Sequence, residues 1–145
     1  SNWSTFYSEQ RIGWILQLLA EQQQKFGDID KIVERVRQRL HHHQPKPSLL
    51  HCDFWRGNVG FLGETPVIFD PASYFGDREA DLAHAGLFNP LPESFLSAYQ
   101  QINPLPEGFH DRKDLYNLYH LLHHAYMRGG RYSWQAQEMI NQLLS

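Results

Sequence analysis

The segment Leu50-His51-Cys52-Asp53-Phe54-Trp55-Arg56-Gly57-Asn58 places a histidine two residues before an aspartate and an asparagine five residues after it. A second aspartate, Asp70, follows Val67-Ile68-Phe69 and precedes Pro71. Phosphoryl transfer asks for such groups: a carboxylate to orient and deprotonate an alcohol, and an amide oxygen with a second carboxylate to hold magnesium on phosphates. His-x-Asp alone arises by chance, but His-x-Asp-x4-Asn followed by strand, turn, strand and Asp is far more restrictive. In the competing reading Asp53 and Asp70 are turn residues and Asn58 caps a bend, which leaves their joint spacing unexplained.

The elements that must position these groups are legible around them. Val59-Gly60-Phe61-Leu62 and Pro66-Val67-Ile68-Phe69 are rich in β-formers and flank Gly63-Glu64-Thr65, so a hairpin brings Asn58 and Asp70 to one end of paired strands. Ser48-Leu49-Leu50-His51 reads as a third short strand. Upstream, Ile12, Ile15, Leu16 and Leu19 recur at helical spacing and predict a helix over 4–24. Asp28 caps a second helix that turns Ile29, Ile32, Val33, Val36 and Leu40 inward. Downstream, helices are expected over 78–88, 93–101, 112–127 and 133–144, punctuated by prolines and by Gly129-Gly130. The fold class is α+β, mostly helical, with a small β-hairpin at its centre.

Composition sets outer bounds. A chain of 145 residues that is 41% hydrophobic and 20% charged excludes a disordered tail, a collagen repeat and a coiled coil, and favours a single domain over 1–145. A formal charge of −3 leaves no electrostatic footprint for nucleic acid or an anionic membrane. No apolar run approaches the ~20 residues of a membrane-spanning helix. A single cysteine, Cys52, with no signal-peptide pattern, points to a reducing cytoplasm. The start at Ser1-Asn2-Trp3, with methionine only at 127 and 139, reads as a piece of a longer chain.

The stretches Leu49–Asn58 and Pro66–Ala83, together with Leu115-Tyr116-Asn117-Leu118-Tyr119-His120-Leu121-Leu122, resemble the fructosamine kinase (ketosamine 3-kinase) family. The resemblance runs through nearly the whole chain but covers only about the second half of a family member. It implies a protein-kinase-like, aminoglycoside-phosphotransferase-like fold, of which this chain is the C-terminal lobe. It also implies transfer of the ATP γ-phosphate to a sugar hydroxyl of a ketosamine, carried by a small amine or a glycated protein. By the same resemblance Asp53 is the catalytic base and Asn58 and Asp70 are magnesium ligands. His51 then organises the loop, and Asp81 ties down the loop backbone from the helix that Asp77 caps.

Two positions depart from the family pattern. Cys52 stands where the family usually has glycine, a residue chosen where φ is positive or another backbone comes close. Arg56 replaces a small polar residue and could contact phosphate or extend into solvent, while Trp55 is the loop's candidate substrate contact. No glycine-rich phosphate loop or strand lysine precedes Asp53, so the isolated chain is expected to lack turnover and to self-associate around Trp3, Phe6 and the loop. The alternative function is a non-catalytic sugar- or partner-binding module. His41-His42-His43 and the i, i+3, i+4 set His120, His123 and His124 match metal-ligand spacing, but loop polarity and helix packing explain them better.

Overall fold

The computed structural model describes residues 2–145. The chain divides into two compact units, one formed by the segment ending at Gln44 together with Asn117–Ser145, the other by Pro45–Tyr116. Among the described residues no helix is long and apolar enough to cross a membrane.

The first unit is helical. Asn2 accepts from the Thr5 amide and opens α1 (Trp3–Thr5), which runs through a π-helical stretch (Phe6–Gly13) into α2 (Trp14–Glu21). The 3.6-residue spacing predicted one uniform helix. The wider turns instead bury Tyr7 with Ile12 and Ser8 with Gly13, pairs five residues apart that i→i+5 bonding stacks on one face. Asp28 caps α3 (Ile29–Leu40) through the Lys31 amide. Ile32, Val36 and Leu40 on α3 are fully buried and pack with the π-helical stretch and with α7 (Arg131–Leu144). Arg35, whose position suggests a solvent face, donates to the Leu143 carbonyl.

The second unit holds the candidate site. Strand β1 (Ser48–Leu49) pairs antiparallel with β4 (Phe75–Gly76), and β2 (Val59–Leu62) pairs with β3 (Thr65–Ile68) around a turn at Gly63. Two residues carry no period, so β4 has no local signature. Its partner continues it irregularly, with Leu50 N–H donating to Tyr74 O at 2.9 Å and Ala72 N–H to His51 O at 2.8 Å. Helices α4 (Arg78–Ala85) and α5 (Glu93–Ile102) follow, then α6 (Phe109–Arg128), whose residues through Tyr116 belong to this unit. Leu50, Phe54, Leu82, Ala83, Phe109, Leu115 and Tyr116 form the apolar core.

That core contains an ion pair. Arg112 on α6 donates from Nε and Nη2 to both carboxylate oxygens of Glu79, each at 2.7 Å, and Glu79 is fully buried. The pairing holds the guanidinium protonated, and it also donates to the Glu107 carbonyl. Gly108 leaves room for it: a Cβ there would lie 2.6 Å from Arg112 Nη1, at a φ of +87°. Removing one partner of a buried pair leaves the other charge uncompensated. Arg112→Ala is therefore expected to lower the unfolding free energy by about 3–5 kcal/mol, measured by urea denaturation. A loss comparable to that of a surface substitution would refute this account.

Candidate active site

Asp53 lies in the loop between β1 and β2, and its neighbours are fixed by hydrogen bonds rather than by regular structure. The Trp55 N–H donates to Asp53 O, and the Asn58 N–H to Trp55 O, closing a 3₁₀ turn over Arg56–Asn58. Asn58 is buried and its Nδ2 donates twice, to Asp53 O at 2.9 Å and to Asp53 Oδ2 at 3.0 Å. Because both partners are acceptors, the amide nitrogen must face them, which leaves Oδ1 as the atom able to ligate a cation. Beyond β3, the Phe69 N–H donates to Asn58 O at 3.1 Å, so the hairpin register sets Asp70 one residue past the partner of Asn58. Asp70 is exposed, with a φ of +53° that aspartate tolerates better than most residues.

His51 links these segments. Its Nδ1 accepts from the Asp53 N–H at 3.2 Å, and its Nε2 sits 2.6 Å from the Phe69 carbonyl. A backbone amide can only donate and a carbonyl can only accept, so the ring is the neutral tautomer protonated at Nε2. It joins the residue before Asp70 to the amide of Asp53. Asp77 caps α4 by accepting from the Glu79 amide, and one turn along Asp81 turns its carboxylate to the loop. Oδ2 accepts from His51 N–H at 2.7 Å and Oδ1 from Cys52 N–H at 2.9 Å. Burial pushes the Asp81 carboxyl above the usual carboxylate range, against the two amides, which favour its charge.

Cys52, the position where glycine was expected from the family pattern, has a φ of +68°. This left-handed turn aims two successive amides at one carboxylate. Trp55 stands 37% exposed, its indole folded over Gly57; a Cβ on Gly57 would come within 2.2 Å of the ring. Arg56 is exposed and donates to the Pro90 carbonyl at 3.3 Å, on the link between α4 and α5. The Phe54 ring lies 5.8 Å from that of His51 and 5.6 Å from that of Phe95, between centroids. It lines a cavity of about 340 Å³ with Leu50, Leu82, Phe95, Tyr99 and Arg78. Arg78 is engaged there by Tyr99 Oη and the Asn103 and Pro104 carbonyls.

In the first unit the α6 histidines turn apart. His124 Nδ1 lies 2.7 Å from the His120 carbonyl, while His123 stacks on Tyr119 and stands perpendicular to the His124 ring. Sequence reasoning passed over the pairings of Arg112 and Tyr116, because their partners Glu79 and Asp77 lie 33 and 39 residues away.

The profile of the family described as fructosamine kinase matches residues 1–145. The chain belongs to that family. It is 52% identical over 143 residues to a Vibrio vulnificus protein named "Probable ketoamine kinase", covering 99% of this chain and 50% of that protein. An Escherichia coli K12 protein of the same descriptive name is 50% identical with the same coverage. Among solved structures, a candidate fructosamine-3-kinase from Haemophilus somnus superposes with a TM-score of 0.95 at 42% identity, over 99% of this chain and 50% of that one. Another from Thermobifida fusca gives 0.86 at 35% identity, over 99% of this chain and 51% of that one. The chain thus spans about half the length of the relatives it matches.

Two expectations follow from the loop. Cys52→Gly relieves left-handed strain and should raise the unfolding free energy by up to about 1 kcal/mol, whereas Cys52→Val should lower it; urea denaturation of both variants decides. The second concerns Asp81. Because its folded pKa is raised, its contribution to stability is complete below the unfolded carboxylate pKa and declines as pH rises through the folded value. The unfolding free energy of the wild type minus that of Asp81→Asn should therefore fall with rising pH across the acidic range. A difference that is flat or grows would contradict the burial-dominated environment.

Proposed function

We propose that this chain carries the catalytic loop and acceptor-binding lobe of an ATP-dependent ketoamine kinase that phosphorylates a sugar hydroxyl of a fructosamine-type adduct. The observation that carries this reading is the Asp53–Asn58 pair, one carboxylate oxygen held 3.0 Å from an amide nitrogen, in a loop whose other end is tied to the segment bearing Asp70. A carboxylate clamped in that way presents its second oxygen, Oδ1, to an incoming alcohol. Asp53 then orients the hydroxyl and takes its proton late, as a loose phosphoryl-transfer transition state requires.

The donor set also fits magnesium. An amide oxygen from Asn58 and a carboxylate from exposed Asp70 are hard ligands, and this cation characteristically takes few ligands from protein, keeping waters and phosphate oxygens for the rest. When bound, the ion neutralises charge on the nucleotide phosphates. Trp55, two residues after Asp53, offers a partly exposed indole over Gly57, suited to the apolar face of a sugar. Exposed Arg56 adds a positive charge at the rim.

The relatives' names support a ketoamine as acceptor, and we infer that it is a small molecule or a glycated amine on a protein. Self-association was expected around Trp3, Phe6 and the loop, but Trp3 and Phe6 are half-buried and pack on each other with ring centroids 5.8 Å apart; the exposed Leu49, Phe61, Leu62, Ile68 and Phe75 of the strands support self-association of the 145-residue chain instead. A second reading, a sugar- or partner-binding module without turnover, is favoured by Cys52, whose strained φ of +68° occupies the residue before Asp53.

Phosphorylation of a model fructosamine by a preparation containing the complete kinase separates the readings. Asp53→Asn keeps size and polarity but removes the proton acceptor, so turnover is expected to fall by about 10²–10⁴-fold with the fold intact by circular dichroism. Near-wild-type turnover in this variant would sink the assignment of Asp53. No turnover in the wild type would favour the binding module.

A further inference from the structure

Helix α4 is eight residues long and delivers Asp81 to the loop, so its placement must come from outside itself. Its first turn is held from α6 at two points. Arg112 grips Glu79, and the Tyr116 hydroxyl donates to Asp77 Oδ2 at 2.6 Å, while Asp77 Oδ1 caps the helix through the Glu79 amide at 3.0 Å. Tyr116 and Asp77 are 1% and 2% exposed, and a bond this short between hydroxyl and carboxylate is charge-assisted.

One carboxylate thus divides its oxygens between the helix it starts and the helix it leans on. Asp81 lies four residues further along, one turn above the cap. A shift of α4 by one residue would carry Asp81 about 1.5 Å along the axis and 100° around it, taking both oxygens off the His51 and Cys52 amides. Catalytic geometry tolerates about 0.5 Å. The apolar ring of Tyr116 fills core space that phenylalanine would fill equally well. Its hydroxyl has a separate role, fixing which way the cap faces.

We propose that Tyr116 is a positioning residue of this site, acting through Asp77 and Asp81 to hold the loop that carries Asp53. The mechanistic consequence rests on the kinase reading above, but the structural linkage does not. Hydrogen exchange of the His51 and Cys52 amides in the 145-residue chain reads the linkage directly. Tyr116→Phe should leave the helical circular dichroism unchanged and lower protection of those two amides by about tenfold, the scale of one hydrogen bond to a charged group. Amides of α3 should keep their protection.

A double-mutant cycle supplies the readout that a merely structural tyrosine would not move. If Tyr116 acts through Asp81, Tyr116→Phe adds no further loss once Asp81→Asn is present. Additive losses would overturn the proposal. Should Tyr116→Phe lower global stability enough to govern all exchange, Asp77→Asn keeps a capping oxygen while removing the charge that Tyr116 meets. The same cycle with that variant then decides. In the turnover assay Tyr116→Phe should lower kcat by about tenfold and leave the ketoamine KM in place, because no substrate contact is removed. An unchanged kcat with coupled exchange would discard the catalytic consequence. Coupling without any turnover in the wild type would fault the kinase reading alone.

Discussion

The loop from His51 to Trp55 lies outside helix and strand, and its geometry depends on one carboxylate. Asp81 accepts from two consecutive backbone amides, His51 and Cys52, at 2.7 and 2.9 Å. Successive amides in extended chain point to opposite sides, so one carboxylate can meet both only if the backbone turns between them. Cys52 at φ +68° makes that turn. The remaining contacts follow from it: His51 faces Phe69, its other nitrogen receives the Asp53 amide, and Asn58 closes back on Asp53. Asp81 does this at a cost, since burial disfavours its charge more than the amides restore.

While Gln23 and Asn89 lie elsewhere, in a turn and a bend, two of the non-glycine residues with positive φ lie at the candidate site, Cys52 beside Asp53 and Asp70 itself. Such conformations persist when surrounding bonds over-determine them, and both segments are crossed by several. His51 bonds the Phe69 carbonyl, Ala72 bonds His51 O, and Phe69 bonds Asn58 O. Two-stranded sheets of this size are marginal alone. The hydrogen bonds of His51 and Asn58 are what join β1–β4 and β2–β3 around the loop.

The helices contribute position rather than chemistry. α4 carries Asp77, Glu79 and Asp81 within five residues, and each carboxylate is spent on a different neighbour: the helix's own start together with Tyr116, the α6 guanidinium, and the loop. α5 contributes Phe95 and Tyr99, which close a cavity behind Phe54. In the proposed phosphoryl transfer, which would depend mainly on positioning and charge, the part of this unit would be to hold a few oxygen atoms still.

Much of the site was legible in the sequence because its residues are close along the chain or joined by a hairpin. The spacing of His51, Asp53 and Asn58, the β-forming runs around Gly63 and the caps at Asp28 and Asp77 are local signals, set by short-range sterics and hydrogen bonding. Helical periodicity likewise marked the buried face of α3. What the sequence could not supply were pairings across tens of residues. The pairing of β4 with β1, the π-helical turns after Thr5, the tautomer of His51 and the direction of the Asn58 amide depend on which groups the chain brings together in space. The same holds for Arg112 with Glu79 and Tyr116 with Asp77: an arginine and a tyrosine on an amphipathic helix look alike whether they face water or a buried carboxylate. By itself the sequence determined which chemical groups are present and the local turns that carry them. Their partners were decided by the tertiary structure, because burial removes water as a competitor and leaves each polar group only the neighbours that packing provides.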